Sequence, residues 1–175
     1  MGRIVTGVAV CVLAQAAWAV DAVGLSVGQV SRPHWQGELD DLRVALGWTL
    51  PWRWLDDDTG ALVTRAELEA GRHDTETGRV WSVSALPVLH YRFKTVRAGW
   101  GPFVEAGLGL AWLSETVWAP GYDLSSRWQF ASRLGVGYAF GAHELSAEAR
   151  HFSNGGLKHP NPGADMFALR YRWLL

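Results

Sequence analysis

Two neighbouring residues near the C-terminus, His151 and Ser153, and an acid further along the chain, Asp165, have the types that acyl transfer requires. A serine hydroxyl, an imidazole and a carboxylate supply a nucleophile, its general base and an anion that orients the base. On a β-strand, residues i and i+2 share a face about 6.5–7 Å apart, so an imidazole can reach a hydroxyl. This set would perform serine ester hydrolysis. Polar groups near a strand end are also common at a membrane interface, where charges cost about 0–1 kcal/mol.

Other motifs in the chain indicate no chemistry. Gly24–Gly28 matches G-x-S-x-G, the pattern of a hydrolase nucleophile elbow. Such an elbow needs a helix directly after it, but this match lies within an alternating strand and no helical pattern follows. The six His are scattered without H-x-x-x-H spacing, and there is one Cys. We therefore expect no zinc or other metal site, and no organic cofactor is implied.

The elements that must position these residues are strands, because apolar and polar residues alternate with a period of two. At the C-terminus, Phe167, Leu169, Tyr171 and Trp173 share one parity and Arg170 the other. A helix would scatter these side chains, whereas a strand separates them onto two faces. Turn signals divide the chain into eight predicted strands, at residues 22–31, 38–49, 61–71, 79–93, 102–113, 127–140, 143–153 and 165–175.

Composition favours a membrane barrel over a soluble one. The chain is 49% hydrophobic and only 19% charged, with 11 Trp and 20 Gly. The faces rich in Trp, Tyr, Phe and Leu would overfill the interior of an eight-stranded barrel, so they must point outward to lipid. The formal net charge of −1 gives no basic field for nucleic acid. We predict an all-β protein, an eight-stranded antiparallel transmembrane barrel of the outer membrane.

The first nineteen residues have the pattern of a secretory signal. Arg3 gives a positive start, residues 4–13 form a mostly apolar run, and Ala17-Trp18-Ala19 fits the A-x-A cleavage pattern. The run is shorter than the about 20 residues of a spanning helix. We predict a signal peptide over 1–19, a single barrel domain over 20–175, and loss of Cys11 on cleavage.

Strand parity brings the candidate residues together. In the seventh strand His151 and Ser153 share the parity of Leu145 and Ala149, and in the eighth Asp165 shares the parity of Phe167. These consecutive strands are antiparallel, so all three polar groups are predicted on the outer surface. With eight strands both termini are periplasmic, which places the connection 154–164 at the extracellular rim.

The segment carrying these residues resembles a known family. The run His151-Phe152-Ser153-Asn154-Gly155-Gly156-Leu157-Lys158, followed by Pro160-Asn161-Pro162-Gly163, is similar to the hallmark of PagL, the lipid A 3-O-deacylases. The similarity extends over most of the chain after the signal, including 103–109 and 133–137. It implies an integral enzyme of the Gram-negative outer membrane that hydrolyses the ester-linked acyl chain at position 3 of lipid A.

The resemblance also implies roles for single residues. Ser153 would be the nucleophile, His151 the general base, and Asp165 the acid, where the family more often has Glu. The oxyanion donors would be the side chain of Asn161 and the backbone N–H of Gly156. Asn154 would help to shape the site. The partners that the resemblance implies are the substrate, lipid A or lipopolysaccharide, and the lipids of the outer membrane. Candidates for contact with its phosphates are Arg150, Lys158 and Arg170, although parity places Arg150 and Arg170 on the lumen side.

Two other functions compete with this one. One is a non-enzymatic structural or adhesive outer-membrane barrel, which would need no cluster at His151 and Ser153. An adhesin would have longer loops than the modest connection 114–126, which counts against this function. A soluble lipocalin-like binder would partition into the aqueous phase without detergent. Nothing in the sequence decides between a monomer and a homodimer.

Overall fold

The computed structural model describes residues 19–33 and 39–175. Residues 1–18 of the predicted signal segment lie outside the described residues. The predicted turn at Gly37 and the first residue of the predicted second strand, residue 38, also lie outside them.

The described residues form a closed antiparallel barrel. The strands are β1 (Ala22–Arg32), β2 (Asp41–Asp56), β3 (Gly60–Thr75), β4 (Gly78–Phe93), β5 (Trp100–Leu113), β6 (Val117–Ala119), β7 (Tyr122–Asp123), β8 (Trp128–Phe140), β9 (His143–Ser153) and β10 (Ala164–Leu174). Eight of them follow one another around the barrel in the order β1-β10-β9-β8-β5-β4-β3-β2, and β6 pairs with β7 in a separate two-stranded sheet. The predicted fold class is confirmed.

Two regions differ from the predicted strands. β2 continues to Asp56 instead of ending at residue 49, with register irregularities after Thr49 and Arg53. The apolar parity of Trp48 continues through Trp52 and Trp54, but Pro51, which cannot donate to a sheet ladder, is a usual sign that a strand ends. Residues 51–56 are exposed on both faces in the structure. The connection after β5, predicted over residues 114–126 without strands, contains the hairpin of β6 and β7.

The inside and outside of the barrel are inverted relative to a soluble protein. Large apolar side chains are exposed along the wall, among them Leu134, Val136, Leu169 and Trp173. The lumen holds buried acids and bases instead, of which Arg133 lies 2.7 Å from Glu67. Buried charges require such partners. A lipocalin-like binder would have an apolar interior, so this arrangement argues against it. The buried charged residues of the central lumen are Arg43, Arg65, Glu67, Glu69, Glu105, Arg133, Glu144, Glu148, Arg150, Arg170 and Arg172.

One end of the barrel is filled by apolar side chains. Trp118 of β6 and Leu124, which follows β7, are fully buried in a cluster that includes Phe152 of β9 and Met166 of β10. The hairpin therefore packs onto the end of the barrel where β9 and β10 are connected. Within residues 19–33 and 39–175, no helix is long and apolar enough to cross a membrane.

Candidate active site

His151 and Asp165 face each other across neighbouring strands. They are paired in the register of β9 and β10. Nδ1 of the imidazole lies 2.6 Å from Oδ1 of the carboxylate in a hydrogen bond. Asp165 alternates with exposed Phe167 and Leu169, and His151 with exposed Ala149, so both side chains belong to the outer wall. Because Nδ1 is occupied by the acid, Nε2 is the ring atom left to take a proton.

Ser153 stands at the end of β9, on the same face as His151. Fully buried Phe152 separates the two residues and points into the apolar cluster. In the register of β8 and β9, Ser153 is paired with Phe130 and His151 with Ser132. Among the described residues Ser153 Oγ has no hydrogen-bond partner, so no hydrogen bond joins it to the imidazole. Such catalytic contacts often tighten only with substrate bound.

Asp165 has a second partner that the sequence pattern did not predict. Arg32, at the end of β1, places Nε 2.9 Å from Oδ2 of the acid. The carboxylate thus contacts the imidazole through one oxygen and the guanidinium through the other. The hydroxyl of Ser31 donates to the backbone carbonyl of Asp165 at 3.2 Å. Two successive residues of β1 therefore hold the acid from its far side.

Asn154 organises the connection that follows Ser153. Its side chain is buried and donates through Nδ2 to the carbonyls of Leu124, at 3.0 Å, and Lys158, at 3.1 Å. Its Oδ1 accepts the backbone N–H of Gly156 at 3.0 Å. The Asn154 amide therefore forms hydrogen bonds within the connection between β9 and β10 and also joins that connection to the end of the β6–β7 hairpin.

Asn161 lies beside the residue that follows the serine. Its Oδ1 accepts the backbone N–H of Asn154 at 3.1 Å. An amide that accepts through its oxygen keeps both N–H bonds of its nitrogen as donors. The structure thus brings Asn161 next to Ser153 through Asn154, while the Gly156 N–H is engaged with the Asn154 side chain.

Gly163 packs directly against the imidazole. A Cβ at this position would lie 2.6 Å from Cε1 of His151, and the backbone φ of +71° also favours glycine. Its carbonyl accepts the hydroxyl of Tyr122 at 2.7 Å, which links the β6–β7 hairpin to the site. Burial raises the pKa of Tyr122, so its hydroxyl remains a donor. The sequence does not predict these contributions, because contacts between distant segments leave no local pattern.

A groove runs along the outer wall from the site. A first section of about 240 Å³ is lined by His151 and Asp165 together with Leu134, Ala149 and Phe167. The last three residues also line a larger section of about 640 Å³. The two sections therefore adjoin on the barrel wall. Small residues in the larger section create its depth, namely Ala106, Gly135, Ala147 and Ala149.

The structure separates the three predicted phosphate contacts. Arg150 and Arg170 are buried in the lumen, where both contact Glu69. They are not available to a lipid phosphate, because parity turns them inward, and that part of the prediction is wrong. Lys158 is exposed in the connection between β9 and β10. Within residues 19–33 and 39–175, no group of three or more His, Cys, Asp or Glu is arranged to hold a metal ion.

Comparison with known proteins decides the family. The family model described as "Lipid A 3-O-deacylase (PagL)" matches residues 40–173. The chain belongs to the PagL family. A lipid A deacylase PagL of Bordetella bronchiseptica is 32% identical over 178 residues, which cover 97% of this chain and 92% of that protein. A lipid A deacylase PagL of Pseudomonas aeruginosa is 32% identical over 141 residues, covering 74% and 75% of the two chains.

A solved PagL structure has the same barrel. The crystal structure of the outer membrane enzyme PagL superposes with a TM-score of 0.78 at 28% identity, covering 88% of this chain and 99% of that one. The expected family, the barrel and the integral outer-membrane location are confirmed. The PagL family is one of lipid A 3-O-deacylases, so the chain is an ester hydrolase rather than a structural or adhesive barrel.

Proposed function

We propose that this PagL-family enzyme removes the 3-O-linked acyl chain of lipid A by a serine mechanism on the outer wall of the barrel. The observation that carries the mechanism is the 2.6 Å hydrogen bond between His151 Nδ1 and Asp165 Oδ1. His151 lies two positions before Ser153, on the same face of β9. This arrangement gives the imidazole a fixed orientation with Nε2 free. It therefore supports a general base beside a serine hydroxyl.

The reaction proceeds in two halves. His151 Nε2 takes the proton of Ser153 as Oγ attacks the ester carbonyl, and Asp165 stabilises the resulting imidazolium. The imidazolium then protonates the departing sugar oxygen, which leaves the acyl chain on Ser153. Water, deprotonated by His151, hydrolyses the acyl-enzyme and restores the free serine. No metal or organic cofactor takes part in this scheme.

Asn161 and Gly156 are the proposed oxyanion donors. The Asn161 side chain is oriented by its hydrogen bond from the Asn154 N–H, and its nitrogen remains a donor. The Gly156 N–H must share or exchange its bond to Asn154 Oδ1 when the oxyanion forms. A donor of this kind contributes about 3–4 kcal/mol to the stabilisation of the transition state.

The position of the site suits a substrate embedded in the membrane. The short turns at 57–59 and 141–142 lie at the end opposite to the site, together with the C-terminus, as expected for the periplasmic side. The site then lies at the extracellular rim, where the outer leaflet presents the sugar esters of lipid A. The groove that continues from His151 and Asp165 offers an apolar path for the released acyl chain.

Mass spectrometry of lipid A tests the proposal directly. Cells that produce the wild-type chain should lose one hydroxyacyl chain at position 3, and cells with Ser153→Ala should retain it. Ser26→Ala is the matched control, because Ser26 is the serine of the G-x-S-x-G pattern but donates to Glu148 in the lumen. Heat-modifiable gel mobility confirms that each variant folds. Deacylation by Ser153→Ala at the wild-type rate would refute the serine mechanism.

A further inference from the structure

A β-bulge turns Arg32 toward the site. Val30 of β1 is paired with Met166 of β10, but the next pair joins Arg32 to Asp165, so that Ser31 and Arg32 together oppose one residue. Regular alternation would place Arg32 with buried Ser26 and Val30, on the lumen side. Bulges change the direction of a side chain and are frequent beside active sites. Here the bulge brings a cation to the outer wall, next to the acid.

The contact that results is specific in geometry. Nε of Arg32 lies 2.9 Å from Oδ2 of Asp165, on the carboxylate oxygen that His151 does not use. Ser31 holds the backbone carbonyl of the same residue. The side chains of Arg32 and Asp165 are 45% and 34% exposed, so the pair lies at the surface and is not part of the lumen network.

An acid on a lipid-facing wall needs such a partner. Aspartate can rotate about its side-chain bonds, and an ionised group facing lipid is costly unless it is paired. Arg32 supplies the counter-charge and occupies the far oxygen, which leaves the near oxygen aimed at the imidazole. The general base depends on this orientation, because a catalytic group that is misplaced by 1 Å can lose about a hundredfold in rate.

We propose that Arg32 is a positioning residue for deacylation, which holds the Asp165 carboxylate in the orientation that His151 requires. This inference rests on the proposed function, because it assigns Arg32 a role through the acid of the proposed serine mechanism. Arg32 does not touch the reacting atoms in this role. Its removal therefore lowers kcat and leaves substrate binding largely intact.

The competing role for a rim arginine is a direct contact with a lipid A phosphate. Arg32 would then contribute to binding, and its loss would raise KM. The two roles also differ in their dependence on Asp165, since a positioning residue has nothing to position once the acid is removed. A double-mutant cycle with Asp165→Asn separates them.

The experiment measures deacylation kinetics of the purified full-length protein on lipid A in mixed micelles. The variants are Arg32→Gln, Arg32→Lys, Asp165→Asn and the double variant Arg32→Gln/Asp165→Asn. Arg79→Gln is the matched control, because Nε of Arg79 also lies 2.9 Å from an Oδ atom, in Asp74, at similar exposure. Heat-modifiable mobility gives the folded fraction by which each rate is divided, so a poorly folding variant is still measured.

We expect Arg32→Gln to lower kcat about ten- to a hundredfold with KM within twofold. Arg32→Lys keeps the positive charge but loses the planar guanidinium, so its kcat should lie between those of the Gln variant and the wild type. Arg79→Gln should match the wild type. In the Asp165→Asn background, Arg32→Gln should cause no further loss.

Three results would overturn the inference. A raised KM with unchanged kcat would show a substrate contact, and a wild-type rate for Arg32→Gln would show a contact without catalytic effect. An equal loss with and without Asp165 would show an action independent of the acid. If Ser153→Ala remains active, the proposed mechanism fails; if Ser153→Ala is inactive while Arg32→Gln is normal, only the role of Arg32 fails.

Discussion

The barrel contains two groups of Ser, His and Asp, one in the outer wall and one in the lumen. In the lumen, His73 Nδ1 lies 2.9 Å from Asp41 Oδ1, and its Nε2 lies 2.9 Å from the hydroxyl of Ser82. In the outer wall, the imidazole contacts the acid at 2.6 Å, but Ser153 Oγ has no hydrogen-bond partner among the described residues. By contacts alone, the lumenal group is the more complete.

The two groups differ in access. His73 is fully buried and stacks on Trp118 with ring centroids 5.4 Å apart, while Phe152 packs edge-on against it at 5.9 Å. No ester can approach a hydroxyl enclosed in this way. The outer group is part-exposed and opens into the groove along the wall. Neighbouring Ser, His and Asp side chains are therefore insufficient for catalysis, which also needs room for the substrate beside the nucleophile.

Substitution of the two imidazoles should give the largest difference in kcat between the outer and the lumenal group. His151→Gln should lower kcat about 10⁴-fold or more, because it removes the proposed general base. His73→Gln should retain nearly the wild-type rate per folded molecule but lose about 1–3 kcal/mol of stability, because it disturbs buried hydrogen bonds. Deacylation assays with thermal unfolding by circular dichroism measure both. Loss of catalysis in a folded His73→Gln protein would contradict the assignment.

The two acids provide the next largest contrast. Asp165→Asn should reduce kcat about 10³-fold, because an amide cannot stabilise the imidazolium. Asp41→Asn removes the ion pair of Asp41 with Arg43 and changes its contact with His73 inside the barrel, so it should affect stability instead. The same assays apply to this pair of variants. Equal rates for Asp165→Asn and the wild type would remove that residue from the mechanism.

A pair of glycine substitutions tests whether deacylation needs the free space beside the His151 ring at the outer site. Gly163→Ala should lower kcat about ten- to a hundredfold, because the new Cβ would displace the His151 ring. Gly121→Ala is a matched control: its φ of +77° is similar, but no atom lies within 4 Å of the added carbon. If both variants lose the same activity, backbone strain rather than contact with the imidazole is responsible.

The smallest expected effect concerns the groove. Ala149→Leu should lower kcat/KM for lipid A about three- to tenfold, because the larger side chain occupies the first section beside His151. Ala70→Leu fills a comparable groove elsewhere on the wall, lined by Val44, Leu46, Leu68 and Val83. Kinetics in mixed micelles should show no change for this control. A similar decrease in both variants would indicate a general effect of the wall on lipid contact.

Much of the fold was predictable because inward and outward faces alternate in a membrane barrel. β8 to β10 match the predicted strands within about a residue at each end. The prediction ended β2 too early, at residue 49, although its apolar parity continues through Trp52 and Trp54. The intervening Pro51 is a usual sign of a strand end, because proline cannot donate to a sheet ladder. The β6–β7 hairpin was missed because its strands have only three and two residues, too few to display a period.

The candidate site likewise contains features that the sequence predicts and contacts that it does not. Strand parity and the antiparallel order of consecutive barrel strands placed His151 and Asp165 on one face of neighbouring strands, and the structure pairs them in register. The hydrogen bond from Tyr122 to Gly163 joins residues 41 positions apart, and the ion pair between Arg32 and Asp165 joins the first strand to the last. No spacing rule within one segment could have indicated either contact.

The amino-acid sequence by itself determined the barrel, its lipid-facing surface and the placement of an imidazole, a hydroxyl and a carboxylate on that surface, because a two-residue period assigns every side chain of a regular strand to one face. Only the tertiary structure decided that Arg32 joins them and that the lumenal triad is sealed. The reason is physical: a bulge reverses the parity of β1 at its last residue, and packing of the hairpin closes one end of the lumen.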